Sequence, residues 1–444
     1  MENKILELIV KEDYLNLKKE LENINEQDLA ELIGDLDSKQ LVKIFRLLSK
    51  TMAAEVFSYL PIETAQELIT VMSAKDAGQI IDLMASDDAT DLFDEMPANV
   101  VTKILASTTK ETRRDINELL KYPEDSAGSI MTVEYLDFKE NMTIQECISK
   151  IRRDGAEKET INNCYVLDNK RKMLGSVEIK DLLLSAPDTL VKDIMEDQEI
   201  YAETLEDQEV VAEKFKKYDL LAMPVVDSEK RMVGIITIDD IIDIMEEETN
   251  EDIAKMAAIT PSDKSYLSLS VWEIWKTRIP WLLLLMVSAT FTSMIIQKYE
   301  AALATMVILT SYIPMFMDTA GNAGSQASVT IIRSLAINEV DFRDFFKVIW
   351  KELRVSLLCG VVLAGCNFIK LLILDKVGMM VALVVALTLL VTVIFAKIIG
   401  STLPLLAKKI GFDPAVMASP FITTIVDAIA LVVYFNIATS LLTL

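Results

Sequence analysis

The chain has 444 residues, 51% of them hydrophobic and 25% charged, with 44 basic and 68 acidic side chains and no histidine. That length suggests about two to four domains. A net charge of −24 argues against a nucleic-acid partner, which needs a basic face to displace counterions. Without imidazole there is no Ser-His triad and no His-ligated zinc site. The average joins two unlike halves. Residues 263–444 hold 14 basic and 11 acidic side chains, a net of +3, so residues 1–262 carry 30 against 57, a net of −27.

The start, MENKILELIVKEDYL, is acidic and amphipathic and lacks an apolar run followed by a cleavage site. No signal peptide is expected, and the acidic half is expected in the cytosol. Cys147, Cys164, Cys359 and Cys366 form no CxxC pair and read as small buried hydrophobes in a reducing compartment.

From Asp37 the chain falls into units of twelve: DSKQLVKIFRLL, SKTMAAEVFSYL, PIETAQELITVM, SAKDAGQIIDLM, ASDDATDLFDEM and PANVVTKILAST. The fifth place holds Leu41, Ala53, Ala65, Ala77, Ala89 and Val101, and the eighth and ninth are apolar throughout. Apolar places 5, 8, 9 and 12 have helical spacing, and Ser, Pro or Asp opens most units as a cap does. Each unit is a short helix plus a tight turn, too small to bury its stripe alone, so the units should stack as an α-solenoid. Glu55, Glu67 and Asp91 share the seventh place, with Asp82, Asp87, Asp88, Asp94 and Glu95 nearby. Taken alone, this is also what an ordinary solvated helix face looks like.

After KYPEDSAG, short β-branched runs alternate with helices, and the pattern occurs twice. Asp168 and Gly175 of the first copy correspond to Asp227 and Gly234 of the second, 59 residues later. Both read as strand, helix, strand, turn, strand, helix. The region 126–248 resembles a tandem pair of CBS domains, a ligand-sensing module that often takes adenine nucleotides. The second copy runs into DDIIDIMEEETNEDIAKMAAI, with eight acids from Asp239 to Asp252 and Lys255 as the lone base. As a helix it puts Asp240, Asp243, Glu247 and Glu251 on one side, where like charges repel unless cations sit among them.

Five runs are long enough for ~20-residue membrane spans: about 279–297, 302–331, 353–373, 377–399 and 417–442. With the acidic half inside, the inner loops hold Lys264, Lys276, Arg278, Arg333, Arg343, Lys347, Lys351, Arg354, Lys397, Lys408 and Lys409. The outer loops hold Lys298, Lys370 and Lys376, which fits the positive-inside rule and places the C-terminus outside. Two acids are deep, Asp318 within PMFMDTAGNAGSQASVT and Asp427 within DPAVMASPFITTIVDAIALVVYF. Pro420 cannot donate to the carbonyl of Val416, and Thr423 and Asp427, four apart, share a face. Helix-packing hydrogen bonds would account for such acids, and so would a cation path. An all-oxygen set of carboxylates, hydroxyls and carbonyls favours Mg²⁺, Ca²⁺ or Mn²⁺ over zinc, copper or nickel.

These features together resemble the MgtE family of magnesium channels over essentially the whole chain. The motifs are P-x-x-x-D-T-A-G-N-A-G-S-Q at Pro314–Gln326, G-S-T-L-P at Gly400–Pro404, and G-F-D-P-A…S-P-F-I-T-T…D from Gly411 to Asp427. Ala430 departs from the family, which often has glycine there. The resemblance implies a multidomain transporter or channel rather than an enzyme. Its parts would be an all-α superhelical N-terminal domain (1–125), an α+β tandem CBS pair (126–248), a connecting plug helix (249–276) and a five-helix membrane domain (277–444). It implies a multi-pass homodimer in the cell membrane, with Asp427, Ser419 and Thr423 lining the path and Asp413 at its cytosolic mouth. Regulatory Mg²⁺ would fall on Asp207, Glu209, Asp219, Asp240, Asp243, Glu248, Glu251 and Asp252, with Asp87, Asp91 and Glu55 on the solenoid. High cytosolic Mg²⁺ would bridge the acidic parts and close the path; low Mg²⁺ would let repulsion open it. ATP in the CBS pair is an open expectation, and no GxxxxGK[ST] loop for an ATP-driven pump is present. Transport of Mn²⁺ or Co²⁺, or a non-conducting membrane-anchored sensor, are the alternatives.

Overall fold

Asp37, Ser49, Pro61, Ser73, Ala85, Pro97 and Thr109 stand twelve residues apart, and each precedes a helix in the computed structural model. The structure describes residues 2–442 apart from 12, 22, 35, 95, 198–199, 263–265, 268, 301–305 and 418, with backbone alone at 2, 3, 6 and 419. The N-terminal helices are α1 (Glu2–Val10), α2 (Tyr14–Leu21), α3 (Glu26–Ile33), α4 (Ser38–Phe45) and α5 (Lys50–Ser58). They continue as α6 (Ile62–Val71), α7 (Ala74–Ile81), α8 (Ser86–Asp94), α9 (Ala98–Leu105) and α10 (Lys110–Leu119).

Asp37 accepts from the Lys39 and Gln40 amides, Ser49 from Met52, Ser73 from Asp76 and Thr109 from Thr112. Each cap satisfies amides that a short helix leaves orphaned. Asn25 caps α3 in the same way, so the repeat extends one unit before Asp37 and one after the sixth unit. Helices this short are unstable alone. Here each packs on the next but one: α3 on α5, α4 on α6, α5 on α7, α6 on α8, α7 on α9 and α8 on α10. The eighth and ninth places, such as Val56-Phe57 and Ile80-Ile81, are buried in one continuous core.

The tandem copies fold alike. β1 (Asp137–Lys139), β2 (Asn163–Leu167) and β3 (Met173–Glu178) form a sheet in that order; β4 (Ala202–Glu203), β5 (Ala222–Val226) and β6 (Met232–Thr237) form the second. In both, the first strand runs parallel and the third antiparallel to the middle one. Val166 opposes Gly175 and Val225 opposes Gly234, at the sequence offset of 59. A Cβ at Gly234 would lie 2.7 Å from the Thr132 carbonyl oxygen, which explains glycine there. Helices α11 (Ile144–Asp154), α12 (Ile179–Leu184) and α13 (Gln208–Tyr218) cover the sheets, and α14 (Ile238–Met256) follows the second.

Two compact units comprise residues 1–245 and 246–444, the boundary falling within α14. The expected connecting helix over 249–276 is not one element. Its first eight residues continue α14; Ala258 is left-handed at φ +54°, Pro261 restricts the residue before it, and the next helix starts at Val271.

In the second unit the long helices are α15 (Val271–Lys298), α16 (Ile313–Ala336), α17 (Phe345–Ile373), α18 (Met379–Lys409) and α19 (Ser419–Leu442). Among the described residues, four segments are long and apolar enough to cross a membrane: Val271–Lys298, Phe342–Ile373, Met379–Lys409 and Pro414–Leu442. The expected span 302–331 starts in residues outside those described, and its helix begins only at Ile313. Helix α18 is central, packing on α16, α17 and α19. Lys397, counted above as a loop residue, lies inside α18 and is 6% exposed. Cys147 and Cys164 are buried as expected; Cys366 is exposed, on the outer side of α17.

Candidate functional site

Glycines bring α16, α18 and α19 together. A Cβ on Gly400 would stand 2.2 Å from the Gly324 carbonyl oxygen, and one on Gly321 would stand 3.1 Å from Thr423 Cγ2. At Gly400 no larger residue fits without moving a backbone, and at Gly321 an added methyl would press on the Thr423 side chain. Ala320, Ala323, Val393, Ala396, Ile422, Val426 and Ala430 fill the contact. Ala430, where the family often has glycine, is fully buried here as a small core residue.

This packing fixes Asp427. Its Oδ1 is buried and has no hydrogen-bond partner among the described residues. Among the described residues of the second unit it is the single acid in that condition. A buried carboxylate oxygen without a donor is costly, and a cation is the natural complement. One helical turn earlier, the Thr423 and Thr424 hydroxyls both donate to the Pro420 carbonyl, at 2.9 and 3.1 Å. Ser419 opens α19 by backbone, and its side chain lies outside the described residues. Asp318 is within electrostatic reach of Asp427.

Helix α16 has two faces. Phe316, Ala320, Ala323, Gly324, Ala327 and Ile331 are buried, while Asp318, Asn322, Gln326 and Thr330, four apart, are exposed. A polar stripe along a helix of ~36 Å cannot face hydrocarbon cheaply. It needs water or another protein surface.

Within the second unit the end of α14 lies against the loop before α19. Met256 packs on Ile332 and Ala415. Asp413 Oδ1 accepts from the Ala415 amide at 2.8 Å, and its Oδ2 is 2.8 Å from Lys255 Nζ. Burial and then the Asp413 charge push the Asp252 carboxyl above its ordinary range.

In the first unit a separate cluster gathers Asp87 and Asp88 of α8, Glu134, Glu159, and Asp239 and Asp240 of α14. Asp87 is 6% exposed. Burial, then repulsion from Asp240, Asp88 and Glu159, pushes its carboxyl well above the usual range. The same causes push Asp88 to about 6, with Asp240 and Asp239 the main neighbours. Glu159 rises to about 7 through burial and then Asp239, Asp240, Asp88 and Glu134. Asp240 is raised mainly by burial, although Thr237 donates to it at 2.7 Å. Ser86 donates to Glu134 at 2.6 Å, and Thr132 also donates to it. Glu55 is exposed at the fringe, where it acts with Asp88 and Asp239 on Tyr59.

The expected regulatory residues thus divide. Asp87 and Asp240 meet, and Glu251, Asp252 and Asp413 meet in the other unit. Asp207 caps α13 through the Glu209 amide, whereas Asp219 ends that helix in a left-handed conformation; about 16 Å of helix lies between the two ends. Asp91, Asp243 and Glu248 make interactions of their own. Glu134 and Glu159 were not expected, and no local spacing marks them. Among the described residues no three acids already form a metal-holding group.

Comparison with known proteins now adds to this geometry. Residues 313–437 match the model of a divalent cation transporter family, MgtE; residues 24–125 match the MgtE intracellular N domain, and residues 191–247 a CBS domain. The chain is 35% identical over 337 residues to the magnesium transporter MgtE of Thermus thermophilus, covering 74% of this chain and 73% of that one. It is 32% identical over 340 residues to the magnesium transporter MgtE of Bacillus subtilis, covering 76% and 74%. Its fold is similar to a crystal structure of the cytosolic domain of the Mg²⁺ channel MgtE in complex with ATP. That match has TM-score 0.53 and 34% identity, and covers 55% of this chain and all of that one. The soluble part of a magnesium transporter matches with TM-score 0.53 and 28% identity, over 56% and 97%. A glycine-packed helical unit with an orphaned carboxylate, a helical domain of intracellular type and a CBS pair agree with these matches, and the chain belongs to the MgtE family of magnesium transporters, which are not enzymes.

Proposed function

We propose that the chain is a Mg²⁺-gated magnesium channel of the cell membrane, working as a homodimer with five spans per subunit and its C-terminus outside. The observation that carries this reading is the Asp427 oxygen, buried without a donor among the described residues, beside Thr423 on a helix locked in place by Gly321, Gly324 and Gly400. The exposed stripe Asp318–Asn322–Gln326–Thr330 supports the two-fold assembly, because a second copy enclosing water would cover it. One carboxylate per subunit, doubled across an axis, suits a hydrated Mg²⁺, which sheds water reluctantly. Inward flow gains roughly 4.6 kcal/mol per 100 mV for a divalent ion.

Closure belongs to the acidic clusters. Carboxylates pushed toward neutrality by burial and then by one another are a latent cation site: Mg²⁺ favours the arrangement that holds them together, and its removal favours separation. Several weak sites biased toward one state give a steep response. Purified protein in liposomes is expected to pass Mg²⁺, with flux falling as Mg²⁺ on the cytosolic face rises. Unaltered flux in Asp427→Ala would sink the path. Competition by Mn²⁺ and Co²⁺ tests the cargo, and absence of any flux would favour the non-conducting sensor.

ATP is a proposed second ligand, on the strength of the relative's complex. The seam where Lys172 bridges Arg231 also carries Lys170, Arg171 and Lys230, a donor set of the right sign for a triphosphate. These residues would hold the phosphates and stiffen the pair. ATP is expected to raise the thermal stability of the full-length protein; no shift at millimolar ATP would remove it from the account.

A further inference from the structure

We propose that Lys255 is a positioning residue of the gate, a tethered cation that joins the end of α14 to the path's mouth through Glu251 and Asp413. It does at that contact what a bound divalent ion would otherwise do. The inference rests on the Mg²⁺-gated reading above.

The geometry is specific. Lys255 Nζ lies 2.7 Å from Glu251 Oε1 and 2.8 Å from Asp413 Oδ2, with the lysine side chain 24% exposed. Asp413 has its other oxygen on the Ala415 amide, so both are engaged. Asp252 faces the same group, adding a third negative charge. Next to Lys255, Met256 is packed on Ile332 and Ala415, which holds the ammonium in place rather than leaving it on a free surface. Among eight acids from Asp239 to Asp252, Lys255 is the base that follows, and the fold delivers it to the acids at the mouth.

Two consequences follow for gating. Glu251, a candidate for regulatory Mg²⁺, and Asp413, expected at the path's mouth, already have a counter-charge, so this contact persists when Mg²⁺ is low. Closure then needs less Mg²⁺ than a bare trio of carboxylates would demand. Removing the ammonium leaves Glu251, Asp252 and Asp413 to repel one another until an ion arrives.

The test uses full-length protein in liposomes, with Lys255→Gln, Lys255→Glu and Lys255→Arg compared with the parent. Lys255→Gln is expected to raise the cytosolic Mg²⁺ needed for half-closure by about three- to ten-fold. Lys255→Glu should raise it further, and Lys255→Arg should stay within about two-fold of the parent. In Mg²⁺-free buffer, proteinase K should cut between Ala257 and Ser262 faster in Lys255→Gln than in the parent or in Lys255→Arg. Curves and cleavage rates for Lys255→Gln that overlay the parent's would overturn the proposal. So would equal effects of Gln and Arg, which mark packing rather than charge. Parent flux indifferent to Mg²⁺ would sink the gate reading instead, and the Mg²⁺-free cleavage comparison would still decide the latch.

Discussion

The two acidic places of this molecule are built on opposite plans. In the membrane unit one carboxylate, Asp427, with Asp318 as its acidic neighbour, is held by helices that meet backbone to backbone at Gly324 and Gly400. In the first unit Asp87, Asp88, Glu134, Glu159, Asp239 and Asp240 come from separate helices and loops, and burial together with mutual repulsion raises the proton affinity of Asp87, Asp88 and Glu159. On the proposed reading, the site that chooses an ion is stiff and sparsely charged. The one that would report an ion's concentration is crowded and made of parts that can separate.

The largest expected effect is at the stiff site. Asp427→Ala should lower Mg²⁺ flux on the order of 100-fold, the loss of about 3 kcal/mol of ion stabilisation. A small loss would mean that the contrast is misdrawn. Next, Gly400→Ala should destabilise the membrane unit by about 2 kcal/mol through overpacking, read as loss of detergent-solubilised folded protein. The paired substitution Asp87→Asn with Asp240→Asn should leave the protein folded and raise the Mg²⁺ needed for protease protection about ten-fold. Protection that was never Mg²⁺-dependent would remove the reporting role.

Acidity sharpens the same contrast. The Asp88 and Glu159 carboxyls hold protons in the folded state up to about 6 and about 7. Unfolded chains release them near 4. The folded form therefore binds more protons in that window, and stability falls as pH rises through it. In Mg²⁺-free buffer the Tm of the full-length protein should rise on the order of 5 °C from pH 8 to pH 5, and saturating Mg²⁺ should flatten the slope. The smallest effect is expected for Asp207→Ala. It should cost about 1 kcal/mol by removing a helix cap, with Mg²⁺ dependence unchanged if capping is its whole role.

Much of this was legible because its cause is local. A helix start after every twelfth residue and an offset of 59 from Val166 to Val225 are written in residue type, and the fold repeats them. Asp427, Thr423 and the glycines were legible because polar or small residues in an apolar run need a reason. The remainder depends on distant chain segments. Glu134 and Glu159 join the cluster because strand pairing brings their loops to α8 and α14, which no spacing reveals. The expected connecting helix failed at Ala258, whose left-handed turn has no glycine to announce it. The polar groups of the span expected at 302–331 stand in the sequence, but only the fold shows that α16 sets Asp318, Asn322, Gln326 and Thr330 in a row on one exposed side.

The Pro420 carbonyl has a final consequence. With two threonine hydroxyls donating to it, its lone pairs are spent. On the proposed reading, that carbonyl would be no stand-in for a lost hydration shell of the kind a potassium filter supplies. A small doubly charged ion would instead keep its own coat of water and be held through it by the Asp427 carboxylate.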